Sequence, residues 1–215
     1  PTTGVATIFG PSMSGKSFLA IDLAATLTKG ENTWFGRRIT KAPGLYMALE
    51  GGAGIKKRIE AWEKNNYARA ETLQYLMDSF NILNGDEVTD LITQIAPSME
   101  GGIIFIDTLA QSATGFDENS SSDMGRALSA AQAMAKSIKG LVVLVHHTGK
   151  DARRGARGHS SFMAAMDAAI EVKGGDFARS WKTAKIKDGD DTIVENFDLV
   201  VKAVGTDEFG LVETS

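Results

Sequence analysis

A chain of 215 residues, 43% hydrophobic and 23% charged, is long and apolar enough to bury a substantial core. It has no apolar run near the roughly 18 residues that cross a bilayer, and with no cysteine it excludes disulfides and thiolate metal sites, as suits a cytoplasmic protein. A net charge of −4 argues against wholesale coating by nucleic acid but leaves room for a local basic patch. The chain starts at Pro1 and runs at once into a strand with no secretory signal, so the expectation is one domain over 1–215 taken from a longer protein.

Val5-Ala6-Thr7-Ile8-Phe9 has the character of a strand, and Phe18 onward that of a helix. Between them, Gly10-Pro11-Ser12-Met13-Ser14-Gly15-Lys16-Ser17 matches the phosphate-loop pattern G-x-x-x-x-G-K-[ST] in full and in the right context. Gly10 and Gly15 allow the tight backbone path around a phosphate chain, and successive N–H groups at a helix start point at the phosphates. Lys16 is placed to reach the β- and γ-oxygens and Ser17 to hold Mg²⁺. This stretch, through Phe18, predicts a nucleoside triphosphate site.

Phe18, Leu19, Ile21, Leu23 and Leu27 give the following helix a buried flank that Gly30 ends. Trp34-Phe35-Gly36 is expected in a connecting segment, packing rather than acting. Leu45 to Leu49 is a second strand ending on Glu50-Gly51-Gly52. A carboxylate at the carboxyl end of a parallel strand faces the ligand crevice. Glu50 is therefore either a solvated strand-end residue or the base that activates water at the γ-phosphate, and the flexible glycines after it favour the second. Ile55, Ile59 and Trp62 recur at helical spacing, 68–78 is expected to add a helical turn or two, and Phe80-Asn81-Ile82-Leu83 a short strand. Val88, Leu91, Ile92 and Ile95 mark a helix ended by Pro97.

Gly102 to Ile106 is continuously apolar, as a strand buried on both faces must be, and ends on Asp107, the form of a Walker B carboxylate that orders Mg²⁺. Residues 111–123 are polar and small and are expected to form a mobile loop. Met124, Leu128, Ala131, Ala135 and Ile138 then give a long amphipathic helix closed by Gly140. Leu141 to Val145 is another buried strand, ending on His146-His147. Neighbours on a strand face opposite ways, so one histidine at most looks into the crevice; His147 is assigned as a sensor of the γ-phosphate. Residues 150–161 carry Lys150, Arg153, Arg154 and Arg157 among glycines. Three readings stand: a solvated loop, a grip on nucleic-acid phosphates, or an arginine sent into a neighbour's site. From 165 onward, short apolar segments separated by turn residues predict an antiparallel meander. The fold class expected is α/β, a mostly parallel twisted sheet flanked by helices with a C-terminal antiparallel extension.

Together, the phosphate loop, Ala48-Leu49-Glu50-Gly51, Phe105 to Ala110, Val145 to Lys150 and Arg154 to Gly158 resemble RecA-type P-loop ATPases. More narrowly they resemble the RepA-like (AAA_25) family, related to hexameric replicative helicases of plasmids and phages. The resemblance, over Val5 to Val204, implies Glu50 as catalytic base, Asp107 serving Mg²⁺ and His147 as γ-phosphate sensor, with ATP and Mg²⁺ as cofactors. It also implies a homo-oligomer, a hexameric ring acting on single-stranded DNA, with a primase or other replication protein as a fitting partner and no membrane. The chain departs from the family pattern where His159 intervenes in Arg157-Gly158-His159-Ser160-Ser161, and where a late Lys-x-Arg is replaced by Lys185-Ile186-Lys187. A lysine supplies charge but not a bidentate fork, so the cation offered to a neighbour is Lys187, Arg154 or Arg157. Lys150, Arg153 and Arg157 are the expected DNA contacts, through phosphates. The rival functions are a RecA-family regulatory or remodelling ATPase without unwinding activity, and a nucleotide-dependent assembly module.

Overall fold

A computed structural model describes every residue except 51, 71, 118–119, 149–161, 175–177, 188, 190–191 and 207–210. The described chain forms β1 (Gly4–Gly10), α1 (Lys16–Lys29), β2 (Thr33–Trp34), β3 (Arg37–Arg38), β4 (Gly44–Ala48), α2 (Ile55–Asn66), β5 (Leu73–Leu76) and α3 (Gly85–Ile95). There follow β6 (Ile103–Asp107), α4 (Ser121–Ser137), β7 (Leu141–His147), β8 (Ala168–Gly174), β9 (Arg179–Ile186), β10 (Val194–Phe197), β11 (Ala203–Thr206) and β12 (Val212–Thr214). Eight strands make one sheet in the order β10-β9-β8-β1-β7-β6-β4-β5, parallel from β8 to β5 and antiparallel across β8-β9-β10. The expected fold class is the observed one.

The apolar strands are continuous because both faces of the sheet are covered. Alternate residues Ile104, Ile106, Val142 and Leu144 join Val88 and Ile95 of α3 and Met124, Ala127, Ala131 and Met134 of α4 in one core. Their neighbours Ile103, Phe105, Val143 and Val145 join Leu19, Ala20, Ile21 and Ala24 of α1 on the other face. The two-residue period of a strand thus feeds two cores at once. Helix ends follow local chemistry. Gly30 closes α1 in the left-handed region (φ 87°) with its N–H on the Leu27 and Thr26 carbonyls, Asn84 caps α3 by accepting from Asp86 N–H, and Ser120 caps α4 by accepting from Asp123 N–H.

Four expectations change. Residues 68–78 hold no added helix: Tyr67 turns left-handed (φ 48°) and ends α2, and buried Leu73 enters β5 opposite Gly44 of β4. Residues 80–83 are not a strand; Phe80 and Ile82 are core residues of a turn, with Ile82 N–H donating to Ser112 carbonyl at 2.7 Å. That bond also anchors the start of the stretch expected to be mobile, where Ser112 and Ala113 are buried and α4 begins earlier than expected, at Ser121. The tail is only partly a meander. Segment 168–172 runs parallel to β1 (Ala6 beside Ala168), because its apolar face completes the parallel core, and the antiparallel part is confined to the β8-β9-β10 pairings. β11 and β12 form a separate ribbon tied to α2 by Lys57 to Glu213 at 2.5 Å and Lys64 to the Ala203 carbonyl at 2.9 Å.

Trp34 packs as expected: β2 and β3 form a small hairpin around Phe35-Gly36, and the Trp34 ring stacks on Trp181 of β9 with centroids 5.1 Å apart. Asp22 of α1 accepts from both the Trp34 and Trp62 indole N–H groups, each at 2.8 Å, and so ties α1, the hairpin and α2 together. Among the described residues no helix is long and apolar enough to cross a membrane.

Candidate nucleotide site

The loop that follows β1 is shaped by three residues. Gly10 passes so close to β8 that a Cβ there would collide with the Val172 carbonyl oxygen, Met13 is left-handed (φ 63°), and Gly15 is left-handed (φ 97°) immediately before α1. A side chain at Gly15 would be strained whatever the space, so the amino end of α1 is presented as bare backbone. Lys16, only 3% exposed, lies across this loop with its ammonium donating to the Pro11 carbonyl at 2.6 Å. Burial holds its pKa below the ordinary lysine range, against the opposing pull of Asp107 and Glu50. Ser14 Oγ is buried in the same loop without a hydrogen-bond partner.

Strand register brings the carboxylates to the same end of the sheet. Ala48 pairs with Asp107, Asp107 with Val145, and Gly10 with His147. The backbone N–H groups of Leu49 and Glu50 donate to the Asp107 carbonyl at 2.8 and 3.2 Å, which fixes Glu50 just beyond β4. Asp107 is buried, 3% exposed, and Tyr46 donates its phenolic hydrogen to Oδ2 at 2.5 Å. Burial raises the Asp107 pKa, and the hydrogen bonds from Tyr46 and Ser17 and the Arg58 charge pull it back. The Tyr46 pKa is pushed far up, first by burial and then by the adjacent carboxylate, so the phenol is a donor throughout the working pH range. Glu50 is half-exposed, accepts from buried Thr108 Oγ1 at 3.1 Å, and stands 3.5 Å from His147 Nε2. His146 faces the other way, buried against the Phe162 ring at 5.3 Å.

Lys16, Ser17, Glu50, Asp107 and His147 are therefore neighbours around the end of β1, as strand-end placement requires. Phe18 lies under the Arg58 guanidinium, 5.1 Å from its ring centre. Lys187 is elsewhere: β9 runs antiparallel, so it sits at the opposite end of the sheet from the loop, 3.7 Å from Asp167 Oδ1. Lys150, Arg153, Arg154 and Arg157 lie outside the described residues. Sequence reasoning passes over Tyr46, Arg58 and Thr108. Tyr46 is hidden inside an apolar run, Arg58 among helix-surface cations, and only Thr108, next to Asp107, has a positional signal.

The donor set suits Mg²⁺ arriving with a nucleotide. Asp107 Oδ1 is buried with no hydrogen-bond partner, and the Ser17 hydroxyl is beside the carboxylate. Among the described residues no three His, Cys, Asp or Glu side chains gather into a metal cluster. One carboxylate and one hydroxyl match an ion that takes most of its ligands from phosphate and water.

The comparisons agree with this geometry. The solved structure of the RadB recombinase superposes with a TM-score of 0.64 at 14% identity, covering 93% of this chain and 88% of that one. A solved helicase ATPase domain gives 0.62 at 12% identity, covering 98% and 84%. At such identities the likeness establishes the RecA-type P-loop ATPase fold alone. No curated protein sequence matches the chain. The AAA_25 model, an AAA domain, matches residues 1–153, and by that match, together with its phosphate loop and sheet order, the chain belongs to the AAA_25 family.

Proposed function

We propose that the protein is the ATP-hydrolysing motor domain of a RepA-like replicative DNA helicase that works as a ring on single-stranded DNA. The observation that carries the hydrolytic part is the convergence of buried Lys16 and Asp107 with Glu50 and His147 at one sheet end. In this reading the loop from Gly10 to Phe18 cradles the phosphates, and Lys16 neutralises the charge spreading over the γ-phosphate oxygens. Ser17 and Asp107 would hold Mg²⁺, which supplies charge neutralisation between the β- and γ-phosphates. Glu50 accepts the proton of the attacking water. Thr108 holds one Glu50 oxygen, and His147 at 3.5 Å relays whether the γ-phosphate is present.

A cation supplied by a neighbouring subunit completes the charge. Lys187 is exposed and far from its own loop, as such a residue must be, and Arg154 and Arg157 are the alternatives. Lys150, Arg153 and Arg157 contact DNA phosphates. The resemblance to hexameric helicases and the cation-rich segment favour this reading over a regulatory ATPase or an assembly module. The deciding experiment is steady-state ATP hydrolysis over a protein-concentration series, with and without single-stranded DNA. The expected rate per subunit climbs with concentration, because a trans cation is worth about 10³-fold or more elsewhere, and climbs again with DNA. A rate flat in both removes the motor reading and leaves the regulatory one.

A further inference from the structure

We propose that Arg179 and Phe197 form the shelf on which the base of the bound nucleotide stacks, an inference that rests on the nucleotide reading above and assigns its base subsite. The sheet order fixes the direction in which a nucleotide lies. β1 delivers the phosphate loop; on one side β7, β6 and β4 present His147, Asp107 and Glu50, and on the other lie β8, β9 and β10. The terminal phosphate belongs with the carboxylates, so the nucleoside leaves the loop toward β8, β9 and β10.

Arg179 and Phe197 meet the loop on that side. They are cross-strand partners in the β9–β10 pairing. Both reach the same backbone point: a Cβ built on Gly15 would stand 3.2 Å from Arg179 Cδ and 3.3 Å from two Phe197 ring carbons. Gly15 immediately precedes α1, where the α-phosphate side of a loop-bound nucleotide lies. Arg179 approaches the loop from β8 as well, since a Cβ on Gly174 would stand 2.9 Å from its Cγ. Its Nε is buried and has no hydrogen-bond partner, an arrangement costly for a side chain whose only task is packing. Neither residue is fully buried, so the ring and the guanidinium plane each keep an accessible part. Aromatic faces and guanidinium planes stack on bases of any sequence, which is the chemistry a nucleoside requires at this place.

The test compares ATP with inorganic tripolyphosphate, which has the phosphates without a base, by titration calorimetry in Mg²⁺. Wild-type protein binds ATP more tightly than tripolyphosphate. Phe197→Leu, which keeps apolar volume without the π face, weakens ATP about tenfold or more and leaves tripolyphosphate unchanged; Phe197→Tyr restores ATP binding. Arg179→Met gives a loss of the same kind and keeps the proposal testable if Phe197→Leu does not fold. Equal losses for both ligands, or no loss for either, overturn the shelf in favour of packing. Wild-type protein that binds the two ligands equally overturns the shelf alone, whereas protein that binds neither overturns the nucleotide reading with it.

Discussion

Replacing Tyr46 with Phe removes one oxygen from the middle of a β-strand, and its effect reports on the electrostatics of the whole site. The phenol is fully buried and donates at 2.5 Å to Asp107 Oδ2, while Asp107 Oδ1 already lacks a partner. A hydrogen bond to a charged group contributes about 1.5–3 kcal/mol, and the substitution leaves a buried carboxylate still less satisfied. For a chain of this size the loss lowers the melting temperature by on the order of 5 °C at neutral pH. The control is Asp107→Asn, in which the phenol faces a neutral amide and its bond is worth about 0.5–1.5 kcal/mol. Tyr46→Phe is therefore expected to cost about 1–2 kcal/mol less in the Asp107→Asn background, a coupling that a double-mutant cycle of urea midpoints resolves. Tyr46→Phe is also expected to raise the Mg²⁺ concentration needed for tight ATP binding. Equal costs in the two backgrounds would refute the idea that the phenol serves the carboxylate.

Three further outcomes follow from the same contacts. Thr108→Val frees the Glu50 oxygen it holds at 3.1 Å; kcat is expected to fall on the order of ten- to a hundredfold with ATP affinity unchanged, Thr108→Ser to retain activity, and a change confined to KM would count against a positioning role. Asp107→Asn should stabilise the nucleotide-free protein at pH 7. Burial raises the folded-state pKa above the ordinary 3.8, so the native state binds the proton more tightly and wild-type stability falls as pH rises through that window; the advantage of the variant should shrink as the pH is lowered toward 3.8, read by thermal unfolding across a pH series. Asp22→Ala strands two indole N–H groups that now donate at 2.8 Å, at about 1–3 kcal/mol each, and an unfolding midpoint unchanged by it would show that the tryptophans do not depend on this carboxylate.

The parts of the fold legible in the sequence are those in which one local pattern serves one purpose. The runs ending on Glu50, Asp107 and His147 are uninterrupted because both sheet faces are covered, and a charged residue after such a run can only emerge at the strand end. Gly30 and Gly140 stop their helices for equally local reasons. Legibility fails where a distant partner decides. Leu73 to Leu76 has little strand character of its own and becomes β5 because β4 offers an open edge. Ile82 looks like a strand residue and instead fills a turn beneath Ser112. The segment from Ala168 sits among turn residues, yet it joins the parallel sheet because β1 exposes a second edge. In the site, Tyr46 is illegible for the same reason: only the register of β4 on β6 puts its hydroxyl at Asp107.

The same register argument bears on why one chain carries an incomplete charge set. Parallel strands bring their carboxyl ends together, so Glu50, Asp107 and His147 can all come from one chain. An antiparallel strand presents its residues to that end in reverse order. β9 therefore gives Arg179 to the loop and removes Lys187 to the far end of the sheet, next to Asp167. No local rearrangement of β9 exchanges the two, because Lys187 N–H is held to the Asp167 carbonyl at 2.9 Å and Arg179 is paired across to Phe197. Whatever cation follows the late strand thus serves a second subunit or none. That makes the dependence of ATP hydrolysis on protein concentration a direct consequence of strand direction, and Lys187→Ala the variant that separates the sources of the cation. If Lys187 is the trans group, the substitution flattens the concentration dependence while leaving ATP affinity at low concentration unchanged. If the steepness persists, the cation comes from Arg154 or Arg157.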